Sequence, residues 1–262
     1  MKLIKGFKKF FDNRKIDSIC DKYNIKNYTI NQDGSIDVDG NVSIEVRREL
    51  TKLPLKFGRV SGDFICRCNQ LTTLEGCPNS VGGYFDCQDN QLTTLEGCPE
   101  SVGDSFLCQY NNLTSLKGCP SNIEGNFVCH DNELTTLEGG PRVVNRKFHC
   151  GNNKLTNLIG GPEWVNYDYY AVNNQINSFE GFPDKHESGV NFSGNPVQKI
   201  LKEFPAVLWR RAIPLIIDYD AIWNGEIVPE RLEMVKDKLP KSIMKRHKNW
   251  PDYDDYDDYY DD

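Results

Sequence analysis

Apolar residues recur along this chain at a spacing far longer than any helix or strand period. Written at a period of 21, residues 50–196 fall into seven units in unbroken register, from LTKLPLKFGRVSGDFICRCNQ (50–70) through LTTLEGCPESVGDSFLCQYNN (92–112) to INSFEGFPDKHESGVNFSGNP (176–196). Positions 1, 4, 11, 15 and 17 carry the apolar or small residues, and Pro holds position 8 in every unit but the first. Position 20 is Asn in all seven: Asn69, Asn90, Asn111, Asn132, Asn153, Asn174 and Asn195. Positions 15 and 17 alternate with variable residues at 14, 16 and 18, which marks a short half-buried strand. One strand per 21 residues predicts a coil whose turns stack into a parallel sheet. The Asn column follows each strand, where an amide can bond backbone groups of the tight turn in its own and the adjacent coil.

Both flanks leave the period. In residues 1–49, Leu3, Ile4, Phe7, Phe10 and Phe11 share one helical face, with Lys2, Lys5, Lys8 and Lys9 between them. Tyr28 to Ile44 alternates apolar with polar residues around Asp-Gly turns. A helix and a β-hairpin or meander capping the first coil are predicted; residues 1–15 are also suited to peripheral contact with an anionic membrane surface. Residues 197–250 are read as an α-helical cap, with one helix over Val197 to Phe204 and a second including Ala221, Ile222 and Trp223. A third is opened by Pro229 and carries Leu232, Met234, Val235 and Leu239. Residues 251–262 form an acidic tail in which Tyr253, Tyr256, Tyr259 and Tyr260 stand among seven Asp.

Five of the ten Cys hold position 17 (Cys66, Cys87, Cys108, Cys129, Cys150) and three hold position 7 (Cys77, Cys98, Cys119). Stacked turns set equivalent thiols about 4.8 Å apart as small core residues. No C-x-x-C pair occurs, so neither a zinc site nor a disulfide framework is predicted, and reduced thiols are expected. Cys68, at position 19, is the thiol expected near an exposed rim. His130 and His149, outward at positions 18 and 16 of adjacent units, are expected as neighbouring surface contacts.

The chain has 262 residues, 38% hydrophobic and 26% charged, with a formal net charge of -7. No stretch approaches the roughly 20 apolar residues of a membrane span. The Lys-interrupted start resembles no secretory signal, so a cytoplasmic location is expected. The seven tail Asp account for the whole charge excess, since the rest balances 31 basic against 31 acidic side chains. Only Arg67, Arg146 and Lys147 are basic at the strand positions, so direct nucleic-acid binding is not expected.

Across consecutive units, F-x-C-x-x-N-x-L-T-x-L resembles the leucine-rich repeat L-x-L-x-x-N-x-L-x-x-L, over 147 of the 262 residues. The short Pro-containing unit is similar to the class in secreted bacterial ubiquitin-ligase effectors, and more similar to leucine-rich repeat proteins of tailed bacteriophages. In one departure, Val60, Val81, Val102, Ile123, Val144 and Val165 stand four rather than three residues before position 15. The resemblance implies a repeat solenoid shaped as a horseshoe, with a concave parallel sheet and an irregular convex side. It also implies a phage-encoded adaptor or inhibitor of a host or defence protein. The ligase effectors carry a catalytic domain with a nucleophilic Cys after their repeats. Here 66 residues follow Pro196 and the last Cys is Cys150, so ligase activity is not expected.

No G-x-S-x-G, H-E-x-x-H or phosphate-loop motif is present, and no catalysis, cofactor or metal is expected. The outward strand positions are where the repeat varies. Leu107 and Val128 lie side by side at its middle, with Tyr84, Asp86, Tyr110, His130, Lys147, His149, Asp168 and Tyr170 around them. That is the composition of a protein-binding centre with a polar rim. The expectation is a monomeric, non-catalytic module that binds a protein through its concave face. A second reading assigns binding to the acidic tail, as a nucleic-acid mimic or a ligand for a basic protein surface.

Overall fold

The computed structural model describes residues 13–45, 50–186 and 188–247. The apolar face from Leu3 to Phe11 and the tail tyrosines Tyr253, Tyr256, Tyr259 and Tyr260 lie outside the described residues. Through the repeats the chain is a β-solenoid of about seven turns with parallel strands about 21 residues apart. Position 15 opens a strand in every turn: Phe64–Ile65, Phe85–Asp86, Phe106–Leu107, Phe127–Val128, Phe148–His149, Tyr169–Tyr170 and Val190–Asn191. Phe127 pairs in register with Phe106 on one side and Phe148 on the other. With Val42–Ser43 these strands make an eight-stranded parallel sheet.

The opposite side corrects the expectation of one strand per repeat and an irregular back. Positions 10 and 11 form a second short strand in each turn, as in Ser80–Val81, Ser101–Val102, Asn122–Ile123, Val143–Val144 and Trp164–Val165. These also pair in parallel, in a five-stranded and a four-stranded sheet. Position 11 is buried in every turn, apolar from Val60 to Val165 and His186 in the last. Amides such as Gly82 N–H then reach the Val60 carbonyl one turn away, at 2.9 Å. Between the sheets lie Leu at positions 1 and 4, Phe at 15 and the thiols at 17. Successive Phe rings follow one another at 5.9 Å (Phe64 to Phe85) and 5.0 Å (Phe85 to Phe106).

The Asn column bonds as its position predicts. Asn111 Nδ2 donates to the carbonyls of Cys87 in the preceding turn and of Cys108 and Gln109 in its own, at 3.0, 3.2 and 3.3 Å. Its Oδ1 accepts the Leu92 N–H at 3.0 Å. Asn132 and Asn153 repeat the set one and two turns on. The residue before each Asn, position 19, is left-handed in every turn, from Asn152 at φ 50° to Gly194 at 74°. Asp, Asn and Gly adopt that conformation readily, whereas Cys68 (φ 56°) and Tyr110 (φ 55°) do not.

At the N-terminal side a helix covers residues 13–22, and Tyr28–Ile30 pairs antiparallel with Ile36–Val38. The expected hairpin is present, but Ile36–Val38 also runs parallel to Phe57–Val60, and Val42 pairs with Phe64 at an offset of 22 residues. The coil therefore starts before the 21-residue register becomes legible.

After the repeats, Val197, Ile200, Leu201 and Phe204 extend the same core. The helix expected over Val197 to Phe204 contracts to Gln198–Leu201, and an unassigned helix, Trp209–Asp218, buries Ala212, Ile213 and Ile216. The helix expected around Ala221 to Trp223 is not there. Ile222–Trp223 instead pairs antiparallel with Glu226–Ile227 across Asn224 and Gly225, left-handed at φ 50° and 79°. Asn-Gly is a strong two-residue hairpin signal and overrides the local apolar spacing. The Pro229–Lys238 helix buries Leu232 and Val235 but leaves Met234 exposed, and Lys241–His247 forms a further helix. No helix among the described residues is long and apolar enough to cross a membrane.

Candidate protein-binding face

The outer surface of the eight-stranded sheet is built from positions 14, 16 and 18, which stacking brings into rows. Leu107 and Val128 are register partners on neighbouring strands, both half-buried. Beside them a row of rings crosses the turns. Tyr110 stands edge-on to His130 with centroids 5.2 Å apart, His130 lies 4.3 Å from His149, and His149 lies 5.6 Å from Tyr170. The row ends in a charged corner, where Tyr170 Oη donates to Asp168 Oδ2 at 3.1 Å and Lys147 Nζ lies 3.7 Å from that oxygen. The structure therefore joins Tyr110, His130, Lys147, His149, Asp168 and Tyr170, which are far apart in the chain.

The two imidazoles differ. His130 Nδ1 lies 2.6 Å from Asp131 Oδ2, which fixes its ring. Burial, and next the neighbouring His130, pushes His149 down to about 4, so it is neutral at physiological pH. Gly151 makes room for this ring, because a Cβ there would come 2.9 Å from His149 Nε2.

Asp86 departs from the expected polar rim. It is only 1% exposed, with Gln88 N–H donating to Oδ1 at 3.1 Å, the Gln88 amide to Oδ2 at 3.4 Å, and Arg67 Nη1 at 3.6 Å. Burial pushes its carboxyl up to about 6. Gln109 donates to Gln88 Oε1, which continues the network toward the ring row. Tyr84, half-buried, lies on this flank, where burial raises its hydroxyl. The chain matches no family model and no curated relative.

Position 14 holds a structural device that sequence reasoning missed. Asp63 Oδ1, Ser105 Oγ, Asn126 Oδ1 and Asp168 Oδ1 accept the N–H of the same position one turn on, from Tyr84, Asn126, Lys147 and Gly189, at 3.0 to 3.1 Å. The signal was the recurrence of short oxygen-bearing side chains in that column. Among the described residues no three His, Cys, Asp or Glu side chains form a group fit for a metal ion. All ten cysteines are free thiols; burial pushes Cys98 up to about 12 and raises Cys77, Cys87, Cys108 and Cys129 well above the ordinary value.

Proposed function

We propose that the protein is a stoichiometric, non-catalytic binding module that holds another protein against the outer face of the eight-stranded sheet. The observation that carries this reading is Tyr110. It takes a left-handed conformation where most other turns use Asp, Asn or Gly, and its side chain is 54% exposed at the head of the ring row. A bulky residue there costs about 1 kcal/mol, and strain of this kind clusters at functional sites. The ring extends an apolar and aromatic centre of Leu107, Val128, His130, His149 and Tyr170, edged by Lys147 and Asp168. Such centres dominate binding energy in protein interfaces.

On this reading the coil is a leucine-rich repeat of the short bacterial type, curved so that this sheet is concave. The hairpin and the helices after Pro196 cap its ends, and the target is a host or defence protein, as the resemblance to phage proteins implies. Affinity purification from the native cell tests the reading with wild type and the double variant Leu107→Asp, Val128→Asp. An unpaired charge in a packed interface costs several kcal/mol, so the partner should vanish from the variant. A folded variant that retains the partner refutes the assignment.

A further inference from the structure

The last edge of the eight-stranded sheet differs from its interior. Within the stack, N–H groups at positions 15 and 17 donate to carbonyls of the next turn. Phe148 and Cys150 reach Asp168 and Tyr170 at 3.0 and 2.8 Å, and Tyr169 and Ala171 reach Gly189 and Asn191, both at 2.9 Å. The seventh turn has no successor, and among the described residues the N–H groups of Val190 and Phe192 meet no acceptor.

A groove opens at this edge. Ser188, Gly189 and Val190 form one side, and Ala206, Val207, Trp209 and Arg210 form the other. Val207 is 70% exposed, above even Trp223 at 60%. Trp209 is held in the wall by its indole N–H, which donates to the Leu201 and Phe204 carbonyls at 3.0 and 3.1 Å. A free donor beside an apolar wall is the arrangement that accepts an added strand.

We propose that this groove is the docking site of the chain's own acidic segment, residues 251–262, added to the sheet edge in extended form. Charge is complementary: Arg210 lines the groove and Arg211 follows it, whereas the segment carries seven Asp and no base. In extended form Tyr253 and Tyr259 share one face of the segment and match the apolar wall of Val207 and Trp209, and its backbone supplies the carbonyl that Val190 lacks among the described residues. The described chain ends in the Lys241–His247 helix, whose Ile243 and Met244 pack on the same core as Trp209, and the six residues from His247 to Tyr253 could extend over at most roughly 20 Å. The docked segment would also shield an edge otherwise open to pairing with foreign strands. The groove touches the outer face only at Gly189, in position 14, and includes none of Leu107, Val128, Tyr110, His130, His149 or Tyr170, so variants in one leave the residues of the other in place.

Hydrogen exchange of the full-length protein, read at the Val190 amide, tests the proposal. Val190 should exchange about tenfold more slowly in wild type than in the full-length variant Tyr253→Ser, Tyr256→Ser, Tyr259→Ser, Tyr260→Ser, with the Tyr169 and Ala171 amides unchanged. Arg210→Glu with Arg211→Glu should give the same loss from the groove side, and high salt should weaken protection in wild type. Equal Val190 exchange in wild type and both variants overturns the proposal. So does protection that both variants keep and that grows with protein concentration, since a second copy would then cover the edge.

Discussion

Replacing Asn111 by Ala tests the bonding that joins one turn to the next. The variant removes the acceptor of the Leu92 N–H, stranding a buried donor at about 1–3 kcal/mol. The carbonyls fare better: Cys87 O keeps Asn90 Nδ2 at 3.1 Å, Cys108 O keeps Asn132 Nδ2 at 3.1 Å, and Gln109 O keeps the Asp89 N–H at 3.1 Å. The stranded donor therefore sets the loss, which should total roughly 2–3 kcal/mol. Asn111→Asp retains the acceptor but turns a carboxylate oxygen toward three carbonyls, so it should cost more at neutral pH than Ala does. Asn112→Ala, at the exposed next position, should stay within about 0.5 kcal/mol. Urea unfolding at constant m measures all three, provided circular dichroism and Trp fluorescence give coincident transitions, as a repeat array requires. Losses below a few tenths of a kcal/mol at both Asn111→Ala and Asn132→Ala would refute the reasoning.

Asp86 predicts a pH dependence. Its folded-state carboxyl is raised to about 6 from 3.8, so the folded state binds the proton more tightly and stability falls as pH rises through that window. Asp86→Asn should be more stable than wild type by roughly 1–3 kcal/mol at pH 8 and show no advantage near pH 4, by urea unfolding at both. Thiol labelling without reductant should count all ten Cys in denaturant but spare Cys66, Cys87, Cys108, Cys129 and Cys150 in the native state; several protected thiols in denaturant would show disulfides instead. Cys68→Asn, at a left-handed position that Asn tolerates, should raise stability by up to about 1 kcal/mol in thermal unfolding.

The coil was legible because the inner turns bury the same five columns, with only Leu50 and Val190 of the end turns partly exposed, and repetition turns a weak strand signal into a strong one. The Asn ladder was legible for the same reason. The second strand was not, since positions 10 and 11 place one buried residue beside a variable one, too short for alternation to register. The starting turn was hidden by its 22-residue offset, and the hairpin at Asn224 and Gly225 by apolar neighbours that read as a helix. At the candidate face, the proximity of His130 and His149 followed from register alone. The burial of Asp86 did not, because Arg67, Gln88 and Tyr84 cover it from positions that a column-by-column reading treats as independent. The left-handed column at position 19 is written in Asp, Asn and Gly, and its two exceptions, Cys68 and Tyr110, obscure it.

Tyr110→Asn is the most direct test of the binding assignment, because it separates the interests of fold and function. Asn suits φ 55° better than Tyr does, so the variant should unfold at equal or higher denaturant, by up to about 1 kcal/mol. Affinity for the partner recovered with wild type, measured by titration calorimetry, should nevertheless fall by about tenfold or more as the exposed ring is lost. A variant that is as stable as wild type and binds that partner with unchanged affinity would contradict the claim that the protein works through this face.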